Sequence, residues 1–309
     1  MNDFVPKHND TWFNRRGWRD IIIATPYVWL ILFFLFPFLI VVVMSFAKTV
    51  SQSPPFAFLP EFPYIRWEAY HRLVTDSLYI RSGFISVYNA VVATILCLLI
   101  GYPMALGITR VSKSTQRFLL MLVILPFWTS FLLRVYAWIG LMGRNSWFNV
   151  SLTAVYNAVV PQSWAIDSIQ MMNTNFAVVL VMVYSYLPFM ILPLYANLEK
   201  LDTTLNEAAM DLGSRPWQVF KDVTLPLSIP GIIAGGLLVF IPAAGELIIP
   251  SLVGNASDPM LGHVIQQEFG ANRDWPMASA VAVALLLFLV VPLMIYNYYA
   301  SKAQAAGQP

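Results

Sequence analysis

Charge is what this sequence has least of. Lys, Arg, Asp and Glu make up 11% of its 309 residues and hydrophobic side chains 58%, whereas an ordinary soluble domain carries roughly 25% charged residues. A soluble fold of that makeup would precipitate. There is one cysteine, Cys97, which excludes a disulfide framework and a thiol pair for metal or redox work. The three histidines, His8, His71 and His263, have no ligand spacing to one another, so no metal site is expected. No GxxxxGKS or GxxxxGKT phosphate loop occurs, so the chain cannot hold ATP phosphates by that device. His, Cys and acid residues form no constellation in the apolar stretches, and no catalytic residue is assigned. A net charge of +2 gives no reason to expect nucleic acid as a partner.

Long apolar runs are what is present. Six stretches, 21–46, 83–109, 118–142, 174–198, 227–252 and 276–301, are each long enough to cross a bilayer, which takes roughly 20 apolar residues. Two of them carry one charge each, Arg134 and Glu246. The chain is therefore read as an all-α integral membrane protein with six transmembrane helices. The first run is about twice the length of a secretory h-region and is read as a retained helix. The short connection Arg110–Arg117 holds Arg110, Lys113 and Arg117 and no acid, which places it inside and predicts that both termini are cytoplasmic.

Residues 1–20 form a basic tail in which Trp12, Phe13 and Trp18 interleave with Arg15, Arg16 and Arg19, a composition suited to the headgroup level of membrane lipid. The spans and their loops, 21–301, make the transmembrane unit, and 302–309 a second cytoplasmic tail. Prolines are frequent inside the spans, among them Pro37, Pro103, Pro126, Pro188, Pro230 and Pro242. Each frees a backbone carbonyl that neighbouring protein or water must satisfy, so kinked helices around a pathway are expected.

The most specified polar segment lies between spans four and five, within 199–226. Thr204 and Glu207 have capping-box spacing, the following alanines favour helix, and Gly213 suits a left-handed stop. Ser214 with Pro216 then starts a second short helix through about Val223. Glu207 and Asp211 share one face of the first helix, with Leu205, Ala208, Ala209 and Leu212 on the other side. These features fit a solvated loop or a docking element.

Glu207, Ala208, Ala209, Gly213, Val223, Leu225 and Pro226 resemble the EAA loop of binding-protein-dependent ABC import permeases, with Val223 where isoleucine is usual. The resemblance implies the type I (MetI-like) permease architecture, with Glu207, Ala208, Ala209, Asp211, Gly213, Leu225 and Pro226 coupling the spans to an ATPase. It further implies a second related permease chain, two cytoplasmic ATPase subunits that bind the ATP, and a periplasmic binding protein. This chain itself would need no cofactor and would sit as a multi-pass protein in the bacterial inner membrane. Pro126, Phe127, Trp128 and Thr129 with Arg134, Val135 and Tyr136, and the segment Gly262 to Pro276, are similar to polyamine import permeases. Putrescine or spermidine is the implied cargo; an oxyanion, ferric iron or an opine-like amine is the alternative within the class, and an ion-driven carrier the alternative outside it.

A polyamine route needs carboxylates for its ammonium groups and aromatic faces for its methylenes. Glu246, Trp128, Tyr184, Tyr186, Asp274 and Trp275 are the candidate pathway residues. Each has a plainer reading. Glu246 serves gating or packing, the aromatics meet lipid or other helices, and Asp274 with Trp275 stabilises a loop turn at Pro276. Arg134 lies far enough along a straight helix to anchor at the outer interface.

Overall fold

Apolar backbone in lipid must close its hydrogen bonds within its own segment, and helix dominates the computed structural model, which describes residues 15–58 and 66–306. Trp12 and Phe13 of the expected anchor lie outside that range. Helix α1 (Arg15–Leu30) passes through a π-helical turn at Ile31–Leu35 into α2 (Phe36–Met44). A two-residue antiparallel hairpin follows, β1 (Lys48–Thr49) and β2 (Phe56–Ala57), then α3 (Glu68–Thr75) and the long α4 (Ser77–Thr109). Next come α5 (Lys113–Ile124), a 3-10 turn at Leu125–Trp128, α6 (Phe131–Met142) and α7 (Trp147–Val159). After α8 (Asn175–Leu198) the chain forms α9 (Thr203–Asp211), α10 (Pro216–Val219), a π turn at Phe220–Thr224 and α11 (Leu225–Ala244). It ends with α12 (Ile248–Val253), α13 (Leu261–Phe269) and α14 (Trp275–Ala306).

Among the described residues, four helical segments are long and apolar enough to cross a membrane: Ile22–Met44, Ser77–Thr109, Asn175–Leu198 and Pro216–Ala244. A fifth is reached if the pair α5 and α6 counts as one broken span, because its halves meet at 89°. The sixth expected span falls on α14. The expected straight helix over 118–142 is thus a sharply bent one. Pro126 supplies the physical reason: it cannot donate within the helix, and at Thr129 the chain is extended, its amide and hydroxyl both turned back to the Pro126 carbonyl.

Both π turns sit just ahead of a proline, Pro37 and Pro226. A proline ring collides with the carbonyl four residues back, and widening the preceding turn relieves that collision. Pro103, Pro188, Pro193 and Pro230, by contrast, lie within continuous helix. Proline alone therefore does not decide where a span breaks; in the third and fifth spans the break comes just after a proline, where Ser130 or Gly245 follows.

The core forms where α8 packs between α4 and α11. Met182, Met190, Ile191 and Leu194 of α8 are fully buried, with Ala90, Ala93 and Cys97 of α4 and Val239 and Ala243 of α11 around them. Small residues on the flanking helices let the backbones approach closely, the usual solution where lipid offers no hydrophobic drive for helices to associate. Tyr102 of α4 and Ser228 of α11 share a buried hydrogen bond at 2.9 Å. The first span stands outside this core: none of its apolar window is buried, and α2 packs along α14.

The two ends of the bundle differ. At one end, Lys113 at the start of α5 donates to Glu199 just past α8 at 2.8 Å, and that bond holds the Glu199 carboxyl below its ordinary range. This end carries α9 and is called the loop end. At the other, the hairpin, α3, α13 and the start of α14 form a cap around a second small core of Tyr79, Val264, Met277 and Val281.

Candidate functional sites at the two ends of the fifth span

At the loop end, α9 begins differently from the capping-box expectation. Asp202, not Thr204, is the N-cap, its carboxylate accepting from the Thr204 N–H at 2.9 Å. This interaction also lowers the Asp202 carboxyl from its ordinary value. A carboxylate is a stronger acceptor for the first-turn amides than a hydroxyl, which is why Asp202 takes the place. The stop is as expected: Gly213 has φ +88°, the Gly213 N–H reaches the Met210 carbonyl and the Ser214 N–H the Ala209 carbonyl. Those two bonds are the Schellman closure that a left-handed glycine permits.

The second element departs from expectation as well. Arg215 is its N-cap rather than Ser214, with Pro216 in the first turn and the Gln218 Oε1 accepting from the Arg215 N–H at 2.8 Å. It does not end near Val223. It runs on through the π turn into α11, so that Pro216–Ala244 is one helical segment, about 44 Å long at ~1.5 Å per residue. The α9 helix rests on this segment, with the Thr224 hydroxyl donating to Asn206 at 3.3 Å. Glu207, Ala208 and Asp211 are exposed, and Leu205, Met210, Leu212 and Trp217 present apolar surface beside them. Leu225 is half-buried and Pro226 exposed at the foot of α11.

At the far end of the same helix the expected continuous span 227–252 is interrupted. Helix α11 stops at Ala244, and α12 starts again at Ile248. Restarting a helix leaves the first-turn N–H groups without acceptors. Glu246 supplies one: its Oε1 accepts from the amides of Leu247 at 3.2 Å, Ile248 at 2.9 Å and Ile249 at 3.4 Å. Its other oxygen accepts the hydroxyl of Tyr186 on α8. Glu246 is 8% exposed, so a buried carboxylate is stabilised by four donors and the positive end of α12. Helix α13 covers the break closely enough that a Cβ on Gly262 would lie 2.7 Å from the carbonyl oxygens of Gly245 and Glu246.

The remaining candidates distribute as follows. Tyr186 meets Glu246, whereas Tyr184, two residues along, points elsewhere on α8 and packs edge-on against Trp138 at 5.5 Å. Trp128 is 73% exposed at the bend of the third span. Arg134 lies past the bend rather than on a straight helix, and its guanidinium lies over Phe127 and Phe131, 5.4 and 5.5 Å from the ring centroids. Phe127 in turn contacts Phe189, and Phe189 contacts Tyr186.

Asp274 and Trp275 belong to the cap. Asp274 accepts from Thr49 of β1 at 2.6 Å, Arg72 of α3 at 2.9 Å and the Met277 amide at 3.1 Å. Trp275 stacks on Phe269 at 4.9 Å and donates to its carbonyl at 3.1 Å. The sequence reading missed Glu268, a second buried acid on α13 that accepts from the Tyr79 hydroxyl at 2.9 Å. Its only sequence signal is the spacing of Leu261, Val264, Ile265 and Glu268 on one face of an amphipathic helix.

A bundle of long apolar helices broken near one face, with an exposed polar helix pair at the other, is that of a polytopic membrane protein. Residues 97–303 match the family described as binding-protein-dependent transport system inner membrane component. The chain belongs to that family. It is 40% identical over 284 residues, 92% of this chain and 94% of the other, to a spermidine/putrescine transport system permease protein, PotB, of Haemophilus influenzae. The Escherichia coli protein of that name is 36% identical over 275 residues, 89% of this chain and 95% of the other. Among solved structures, a bacterial ABC transporter involved in the import of the acidic polysaccharide alginate shares the fold, with a TM-score of 0.67 at 17% identity over 93% of this chain and 96% of that one.

The Glu246 cluster yields a test of its structural part. Tyr186→Phe leaves one carboxylate oxygen buried without its donor and is expected to destabilise the protein by about 1–3 kcal/mol. Glu246→Gln is expected to cost a similar amount, and the double variant less than the sum, because both changes break one network. Thermal unfolding in detergent measures all three; strictly additive losses would show that the two side chains act independently.

Proposed function

We propose that this chain is the polyamine-translocating permease subunit of an ATP-driven importer. Its partners in this reading are a second related permease chain, two cytoplasmic ATPase subunits and a periplasmic polyamine-binding protein. The observation that carries the proposal is the single helical segment Pro216–Ala244, which has the exposed α9 hairpin at one end and the Glu246 break at the other. The identity to spermidine/putrescine permeases across 92% of the chain supports the cargo. In this reading the loop end faces the cytoplasm, as do both termini, consistent with Arg110, Lys113 and Arg117 at that end.

The mechanism follows from stiffness. The ATPase grips α9 through Glu207, Ala208, Ala209 and Asp211, with Gly213, Leu225 and Pro226 setting the hinge and the foot of the lever. Small alanines permit close approach and the neighbouring apolar side chains supply buried area. Closure of the two ATPase subunits pushes the paired α9 elements together, and the helix transmits that displacement to the break at 245–247. There α12 and Tyr186 of α8 move relative to one another between inward-facing and outward-facing arrangements, a rigid-body switch between two packings. Glu246 and Tyr186 line the route at that switch. Trp128, Tyr184, Asp274 and Trp275 contact the cargo or the delivering protein along it.

Glu207→Arg is expected to abolish ATP-driven uptake of labelled putrescine or spermidine in proteoliposomes holding the whole complex, with membrane insertion intact. Unchanged uptake would remove α9 as the point of coupling. Uptake by the unmodified complex is expected only with ATP and loaded binding protein together. Transport without ATP would favour an ion-driven carrier, and transport of an oxyanion in place of polyamine would move the cargo to another class.

A further inference from the structure

Between α4, the start of α8 and the end of α12, the cap end holds a cavity of about 310 Å³, the size of a small-molecule site at the lower end of the range. Phe84, Pro250 and Met260 give it apolar walls, and Asn89, Arg81 and Asp258 its polar groups. Asn89 is 1% exposed and its Oδ1 has no hydrogen-bond partner. Its Nδ2 faces the Met260 sulfur at 3.6 Å. Sulfur is an acceptor, so that contact selects the nitrogen side of the amide and leaves the oxygen as the orphan. A buried acceptor without a donor is costly unless something else satisfies it.

The mouth is built as deliberately as the floor. Asp258 is held by a turn in which its amide reaches the Asn255 carbonyl at 3.1 Å, while the Asn255 side chain accepts from the Ser257 amide at 3.0 Å. The Asp258 carboxylate is paired with Arg81 of α4, whose side chain is 65% exposed. An exposed ion pair of this kind is worth little in water, so Arg81 can be displaced at small cost. Phe84 at the rim offers an aromatic face.

An unpaired acceptor at depth, apolar walls and an exchangeable carboxylate at the mouth fit one ligand class: a short alkyl chain with an ammonium group at each end. We infer that this cavity is a cap-side station for an alkyl diammonium ion, separate from the Glu246 break. One ammonium donates to Asn89 Oδ1, the methylenes lie between Phe84 and Met260, and the second ammonium replaces Arg81 on Asp258 while Arg81 turns into solvent. The inference rests on the polyamine reading for its biological ligand.

The signs of two substitutions test it. The complex lacking the binding protein is titrated with putrescine and followed by its thermal unfolding, against sodium chloride of equal ionic strength. Asp258→Asn is expected to weaken the putrescine response by about tenfold, the worth of one charge-assisted hydrogen bond. Arg81→Gln is expected to strengthen it, because the competing cation is gone, and Asn89→Leu to abolish it. Equal responses in Asp258→Asn and Arg81→Gln would mean a structural ion pair only and would overturn the station. So would loss of response in Arg81→Gln, the mark of an anion site, or no response in the unmodified complex. Putrescine binding with no putrescine uptake by the full complex would leave the station standing and sink the polyamine cargo instead.

Discussion

A helix interrupted inside an apolar bundle exposes amide groups that lipid cannot satisfy, and the organisation of this protein turns on how that is solved at residue 246. One carboxylate oxygen of Glu246 accepts three successive amides of the restarting helix, and the other accepts Tyr186. Removing the side chain would leave these donors without that partner at once. The acid therefore permits the fifth span to break at all, and the break is what allows α12 to turn against α8 instead of continuing outward. Its Tyr186 contact also fixes which face of α8 the break rests on, because Tyr184 lies round the helix and packs on Trp138.

That solution gains meaning from what lies at the opposite end of the same helix. From Pro216 to Ala244 the chain stays helical, through a widened π turn at Phe220–Thr224 and past Pro226, Pro230 and Pro242, which donate no backbone hydrogen bond. At that turn Phe220 packs edge-on against Tyr102 at 5.6 Å and the Thr224 hydroxyl meets Asn206. The segment is thus seated on α4 and α9 at its foot and on α8 along its length, and it ends at the Glu246 cluster.

Much of this was legible in the sequence, and the misses share a cause. Apolar length identified the membrane class, and Gly213 marked its turn because a left-handed stop leaves a local signature. The EAA-like residues fall on α9, in its glycine turn and around the start of α11. What the sequence could not show was competition between neighbours for one job. Asp202 outbids Thr204 as the cap because it is the better acceptor. Arg215 with Gln218 starts the second helix ahead of Ser214, and that helix fuses with α11 because no residue between 219 and 225 stops it. The bends after Pro126 and Pro242 were foreshadowed by those prolines, but Pro188, Pro193 and Pro230 carry the same signal and bend nothing to breaking. Local acceptors mark the two breaks: Glu246 takes the first amides of α12 at one, and the Pro126 carbonyl takes both Thr129 donors at the other. Glu268 was missed because an acid in a loop segment reads as solvated until α13 is seen to pack over Tyr79.

The carboxylates at the cap end separate into two kinds by their partners, and the separation bears on how a cation would pass. Glu246 and Glu268 are buried and bonded to tyrosines, whereas Asp258 and Asp274 are paired with arginines. A tyrosine hydroxyl carries no positive charge to compete with an ammonium, but a carboxylate bonded to it must give up hydrogen bonds to turn toward one. An arginine cancels that attraction but can be exchanged, ion for ion, wherever it reaches water. Asp274 also holds Thr49 and the Met277 amide, so displacing Arg72 there would leave its other bonds to keep it in place. Asp258 has the more exposed arginine, with side-chain exposure of 65% for Arg81 against 49% for Arg72. Exchange is therefore easiest at the mouth and hardest at the break, the order in which a cation arriving from the cap would meet them.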